Sequence, residues 1–188
     1  MTKKRHFDII LKNGGTMKLD DIIISKAITE EFMKDFLKFM EVDVAIVGAG
    51  PAGIVTGYYL ARKKIKVAIF ERKLSIGGGM WGGGMMFNKI VVQESATSIL
   101  KEFGVNFREY KKCYYVSDSI ETVSTLTSKA VKAGAKIFNL ILVEDVMMRK
   151  EKIAGLVLNW SAVEMAKLHI FPLTSRAKFV VDSTGHSA

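Results

Sequence analysis

The chain has 188 residues, 49% of them hydrophobic, enough for one domain with a substantial core. Lys and Arg number 28 against 19 Asp and Glu, a net charge of +9. The densest basic runs, Lys3-Lys4-Arg5 and Arg62-Lys63-Lys64, are short and far apart. A nucleic-acid surface needs basic residues clustered on one face with aromatic groups beside them. No nucleic-acid partner is therefore expected, and the charge is read as solubility, a lysine-rich proteome or attraction of anionic phosphate ligands.

The single cysteine, Cys113, excludes an internal disulfide framework and a cysteine-based metal cluster. It fits a reducing cytoplasm and is read as a structural residue. No apolar run reaches the roughly 18 residues of a membrane span, and the N-terminus lacks the apolar stretch of a secretory signal. A cytoplasmic protein without membrane contact is expected.

In chain order, residues 1–16 read as an N-terminal extension, and 17–188 as one dinucleotide-binding domain. Residues 19–40 carry Ile23, Ile24, Ala27, Ile28, Phe32, Phe36, Leu37 and Met40 near helical spacing. An apolar strand, Val42 to Val47, then breaks at Gly48-Ala49-Gly50-Pro51-Ala52-Gly53. A helix follows, and a second apolar strand, Val67 to Phe70, ends in Glu71. This unit suits a dinucleotide for stated reasons. Gly48 permits a tight turn off the strand. Gly50 lets the backbone approach a pyrophosphate, and Gly53 lets helix and strand pack closely. Pro51 suits the first helical position, and the positive end of the helix faces the phosphates. Glu71 sits about 20 residues beyond the turn, where a carboxylate accepts ribose hydroxyls.

Next comes Gly77-Gly78-Gly79-Met80-Trp81-Gly82-Gly83-Gly84, whose glycine density argues against any regular element. Residues 93–103 are predicted as a helix stopped by Gly104. Asp118 with Glu121 resembles a capping box opening a helix to Ala133, which Gly134 ends. The β-rich runs Lys136–Met148 and Ile153–Trp160, separated by Arg149-Lys150-Glu151-Lys152, predict a hairpin near 136–160 as a small antiparallel insertion. A last strand, Phe179 to Asp182, leads into Ser183-Thr184-Gly185-His186. The expected fold is α/β, a Rossmann-like parallel sheet with helices and a small antiparallel insertion. A final strand left as an uncovered edge would be an unusual end for such a sheet, so the chain is expected to be incomplete at its C-terminus.

GAGPAG at 48–53, FERKLSIGGGMWGGGMMF at 70–87, KIVVQESA at 89–96 and VVDSTGH at 180–186 together resemble the thiamine thiazole synthase family, in particular its archaeal branch. The resemblance runs from about Met17 to the end, and the second glycine loop carries more of it than the first. It implies the fold of glutathione-reductase-type flavoproteins, but with NAD consumed as a substrate. The implied reaction builds an adenylated thiazole carboxylate from NAD, glycine and a sulfur source, with Fe(II) required, in a homo-oligomer that is an octamer in the family.

Position by position, the resemblance makes Ala52, Glu71, Arg72, Gly79 and Val143 contacts to NAD or product. His169, Ile170 and Phe171 are assigned to the same ligand. His169 falls where some members carry a cysteine that surrenders its sulfur, which implies free sulfide as the sulfur source here and gives His169 the catalytic position. The implied metal ligands are His186 and an Asp two residues after the His169 position, the latter shared from a neighbouring protomer. In this chain that position holds Phe171. The family also carries, beyond the point where this chain stops, an arginine for the glycine carboxylate. Two other readings stand beside this one: an FAD-dependent oxidoreductase of the same fold, and a non-catalytic nucleotide-binding remnant.

Overall fold

The computed structural model describes residues 8–10 and 16–185. The chain divides into two compact units, Met1–Lys38 and Phe39–Ala188. In the first, β1 (Asp8–Ile10) pairs antiparallel with β2 (Thr16–Lys18), across the boundary expected after residue 16. Helix α1 (Asp21–Lys38) follows. It begins at Asp21 because the Asp20 carboxylate accepts from the Ile22 amide at 2.8 Å, which satisfies one of the donors a helix start leaves open.

The second unit is α/β. Strand β3 (Glu41–Val47) leads through the glycine turn into α2 (Pro51–Arg62), then β4 (Val67–Glu71). After the second glycine loop come β5 (Lys89–Val92), α3 (Glu94–Phe103), β6 (Phe107–Lys111), β7 (Tyr114–Asp118) and α4 (Ser119–Ala133). The chain continues through β8 (Lys136–Asn139), β9 (Ile141–Arg149), β10 (Lys152–Trp160), α5 (Ser161–Met165) and β11 (Leu173–Asp182).

The main sheet has the order β8-β4-β3-β11-β10-β9. Pairings among β8, β4, β3 and β11 are parallel, and those of β10 with β11 and β9 are antiparallel. A separate three-stranded antiparallel sheet has the order β5-β7-β6. Val44 and Ile46 of β3 and Val67 and Ile69 of β4 pack with Ile54 and Ala61 of α2, Leu100 and Phe103 of α3, and Leu126 and Ala130 of α4. That burial on the helix-covered face is the main drive for the unit. Among the described residues, no helix is long and apolar enough to cross a membrane.

Several expectations change. The stretch 136–160 divides at Leu140, whose φ of 60° ends β8 as a parallel neighbour of β4. The hairpin is β9 with β10, closed through Lys150 and Glu151, both at positive φ as two-residue hairpin loops favour. It extends the main sheet instead of standing apart, and the small antiparallel sheet comes from β5, β6 and β7. The last strand, β11, lies between β3 and β10 with both edges paired, so no open edge follows from it.

The glycine loop is also more regular than its composition suggests. It forms a short 3-10 turn, Gly78–Gly82, which needs only i to i+3 bonds such as Gly83 N–H to the Met80 carbonyl at 2.9 Å, followed by a turn in which Met85 and Met86 take positive φ. Finally, Cys113 is exposed at the β6–β7 turn with φ 70°, so no core packing role attaches to it.

The cap of α4 is half of what the spacing suggests. The Asp118 carboxylate accepts from the amides of Ile120 at 2.9 Å and Glu121 at 3.0 Å. Glu121 turns instead to Asn106, accepting from its amide at 2.9 Å and its side chain at 2.8 Å. Lys89 beside Asp118, and then the Glu121 amide, hold the Asp118 carboxyl below its usual value.

Candidate functional site

In a parallel sheet, ligands bind beyond the C-terminal ends of the strands where strand order reverses. Here that point lies between β3 and β11. Strand β3 connects through α2 to β4 on one side, while its other neighbour, β11, comes from the far end of the chain. The register pairs Asp182 with Val47, so the residues after both strands leave the sheet at the same end.

The glycine turn is fixed from three directions. Gly48 has φ 93°, a conformation L side chains rarely adopt, and its N–H donates to the Phe70 carbonyl at 2.8 Å. The Ala49 N–H donates to Glu71 Oε2 at 2.8 Å, and the Lys73 N–H donates to Glu71 Oε1 at 2.8 Å. Glu71 is buried. Its carboxylate therefore ties the turn to the exit of β4, while each oxygen keeps lone-pair capacity for a ligand hydroxyl. From the β11 side, the Ser183 hydroxyl lies 2.8 Å from both the Val47 and Gly48 carbonyls, and the Ser183 N–H donates to the Val47 carbonyl at 2.9 Å. Gly53 makes this approach possible. A Cβ there would lie 2.1 Å from the Gly48 carbonyl oxygen and 2.6 Å from Ser183 Oγ.

Helix α2 then starts at Pro51, with Gly50 as its extended N-cap (φ −71°, ψ 178°) and no side-chain cap. A first turn without a side-chain acceptor leaves backbone donors and the positive helix end for an anion. The second glycine loop joins the same surface. The Gly77 N–H donates to the Ala49 carbonyl at 2.7 Å, and a Cβ on Gly78 would come within 3.4 Å of the Gly50 Cα. The loop is braced from behind by hydrogen bonds from the Trp81 indole to the Ile76 carbonyl at 2.5 Å and from Asn88 Nδ2 to the Trp81 carbonyl at 3.3 Å.

Of the residues singled out by sequence, Gly48, Gly50, Ala52, Gly53, Glu71 and Gly79 gather here. Ala52 and Gly79 are exposed, and no protein atom lies within 4 Å of a Cβ built on Gly79, so open space lies beside it. Arg72 is exposed, and its carbonyl accepts from Ser161 Oγ at 2.6 Å. Asn139 Nδ2 donates to the Leu74 carbonyl at 2.8 Å, and the Ser161 N–H donates to the Leu140 carbonyl at 3.0 Å. These bonds hold the start of β9, and half-buried Val143 near it, beside the exit of β4.

His169, Ile170 and Phe171 do not join this cluster. All three are exposed and precede β11, entering it at the end remote from the glycine turn. The strand has ten residues, which rise on the order of 30 Å. His186 lies outside the described residues. Among those described, no three His, Cys, Asp or Glu side chains gather as a metal site. Phe171, 98% exposed, carries no donor atom. Of the two ligand positions the resemblance implies, the one described, Phe171, therefore cannot hold iron.

Two features escaped the sequence reading. Ser183 latches the turn, and its only local sign is a hydroxyl residue directly after an apolar strand. Asp182 stands at the same end of the sheet, its carboxyl held below the usual range by hydrogen bonds from the Thr184 amide and then the Thr184 hydroxyl.

Residues 25–188 match the model of the Thi4 family. The thiamine thiazole synthase of Methanothermobacter thermautotrophicus is 65% identical over 170 residues, covering 90% of this chain and 66% of that protein. The thiamine thiazole synthase of Pyrococcus furiosus is 59% identical over 170 residues, covering 90% of this chain and 68% of that protein. This chain thus spans about two thirds of the length of the curated relatives it matches. The crystal structure of THI4 from Thermovibrio ammonificans superimposes with a TM-score of 0.86 at 54% identity, over 89% of this chain and 67% of that one. L-proline dehydrogenase from P. horikoshii shares the fold alone, with a TM-score of 0.57 at 15% identity over 77% of this chain and 53% of its own. The chain belongs to the Thi4 family.

Proposed function

We propose that this chain is the nucleotide-binding part of a cytoplasmic thiamine thiazole synthase, a transferase that builds the adenylated thiazole carboxylate from NAD, glycine and sulfide. The observation that carries this reading is the 2.7 Å hydrogen bond from the Gly77 amide to the Ala49 carbonyl. It makes one surface of two glycine motifs, where a hydride-exchanging dinucleotide enzyme needs only the first. That the relatives 65% and 59% identical to this chain are thiamine thiazole synthases supports the thiazole synthase part of the reading.

The chain's own residues divide the work. The first turn of α2 and the Gly48–Gly50 backbone receive the pyrophosphate. Glu71 accepts ribose hydroxyls with the lone pairs left by Ala49 and Lys73. Gly79, with open space at its Cα, leaves room for the ligand along the second loop. Arg72 and the β9 backbone near Val143 flank the adenine end.

His169 at the position of the sulfur-donating cysteine supports free sulfide as the source. The separation of His169–Phe171 from the glycine turn along β11 supports a homo-oligomer in which that segment serves a neighbouring protomer. An octamer is the reading carried from the family.

For iron, His186 is the one implied ligand this chain retains, and Phe171 offers nothing in place of the other. The proposed Fe(II) site is accordingly weak in this sequence, and no step is assigned to it.

Calorimetric titration tests the nucleotide reading. NAD is expected to bind with a Kd in the micromolar range and to be displaced by ADP. A protein that retains stoichiometric FAD and gives no heat with NAD contradicts it and favours the flavin oxidoreductase.

A further inference from the structure

We infer that Ser183 is a positioning residue for the nucleotide turn, acting on the pyrophosphate through the backbone without touching it. This rests on the dinucleotide reading above and names a residue that reading does not use. In a trans peptide the C=O and N–H point in opposite directions. The peptide between Gly48 and Ala49 is held at both poles: its carbonyl accepts from Ser183 Oγ at 2.8 Å, and its N–H donates to Glu71 Oε2 at 2.8 Å.

The two holders come from opposite neighbours of β3, Ser183 after β11 and Glu71 at the end of β4. Rotation of this peptide would carry the following one with it. Among the described residues, that next peptide is held only through the Ala49 carbonyl by Gly77, and its N–H is on Gly50, where the phosphate approaches. A hydroxyl has a single hydrogen, shared here between the Val47 and Gly48 carbonyls. Losing it frees one pole of the clamp while Glu71 still holds the other. Gly53 leaves the space in which this hydroxyl sits.

The test compares ADP, which carries the pyrophosphate, with adenosine, which does not. In Ser183→Ala, ADP affinity is expected to fall about tenfold, the size of one hydrogen bond of about 1.4 kcal/mol. Adenosine affinity should be unchanged. Ser175→Ala is the control: Ser175 Oγ lies buried on β11, the strand that leads to Ser183, with no hydrogen-bond partner among the described residues, so its removal should leave both affinities as they are. If Ser183→Ala does not fold, Ser183→Cys keeps the size with a weaker donor and is read the same way.

Unchanged ADP affinity in the Ser183 variant overturns the inference. So does a parallel loss of ADP and adenosine binding, which marks general damage. Wild-type protein that binds no ADP overturns the dinucleotide reading itself, and this inference with it.

Discussion

Gly53→Ala is expected to weaken ADP binding by at least about 100-fold and to cost about 3 kcal/mol of stability, the upper end of ordinary overpacking. The added methyl would sit 2.1 Å from the Gly48 carbonyl oxygen and 2.6 Å from Ser183 Oγ. Neither can retreat without loss. The Gly48 carbonyl belongs to the peptide clamped by Ser183 and Glu71, and moving Ser183 undoes the clamp. Gly57→Ala, one turn further along α2, is the matched comparison. There the nearest atom is the Ile69 Cδ1 at 2.6 Å, the end of a side chain that can rotate. The helix propensity gained, up to about 1 kcal/mol, offsets that adjustment, so stability should stay within about 1 kcal/mol and ADP affinity should hold. Chemical denaturation and calorimetry on the two variants measure both quantities. Equal effects at the two positions would show that close packing of α2, and not the turn, sets binding.

Phe171→Asp is expected to raise ferrous iron affinity by on the order of tenfold or more, because it supplies a carboxylate where a phenyl ring now stands. Phe171 is 98% exposed, and its neighbours Leu168 and Ile170 are exposed too. The change therefore removes no core packing, and thermal stability should be nearly unaffected. Anoxic titration with Fe(II) reads the affinity directly. An unchanged affinity would show that this segment does not meet His186 of any copy.

Much of the second unit was legible because its signals are local. Val42 to Glu71 carries the alternation of strand, turn, helix and strand within one continuous stretch, and each residue there acts on near neighbours. The ends of α3 and α4 were legible for the same reason, through Gly104, Gly134 and the Asp118 cap.

What the sequence hid depends on partners far along the chain. Ser183 meets residues more than 130 positions earlier. Strand β6, Phe107–Lys111, is exposed at all but its first residue, so no two-residue alternation marks it, and it is recognised only by pairing with β7. The hairpin of β9 and β10 was visible, but its place in the main sheet follows from the pairing of β10 with β11. Glu121 satisfied the spacing of a capping box, yet Asn106 supplies two donors at once and outcompetes the single backbone amide.

The most direct measurement of the central claim is product formation. The protein, as wild type and as Phe171→Asp, is incubated without oxygen with NAD, glycine, sulfide and ferrous iron, and the nucleotide products are weighed by mass spectrometry. The expected result is an adenylated thiazole carboxylate with release of nicotinamide, formed in larger amount by Phe171→Asp. Absence of that product from both proteins, with NAD recovered intact, would contradict the assignment.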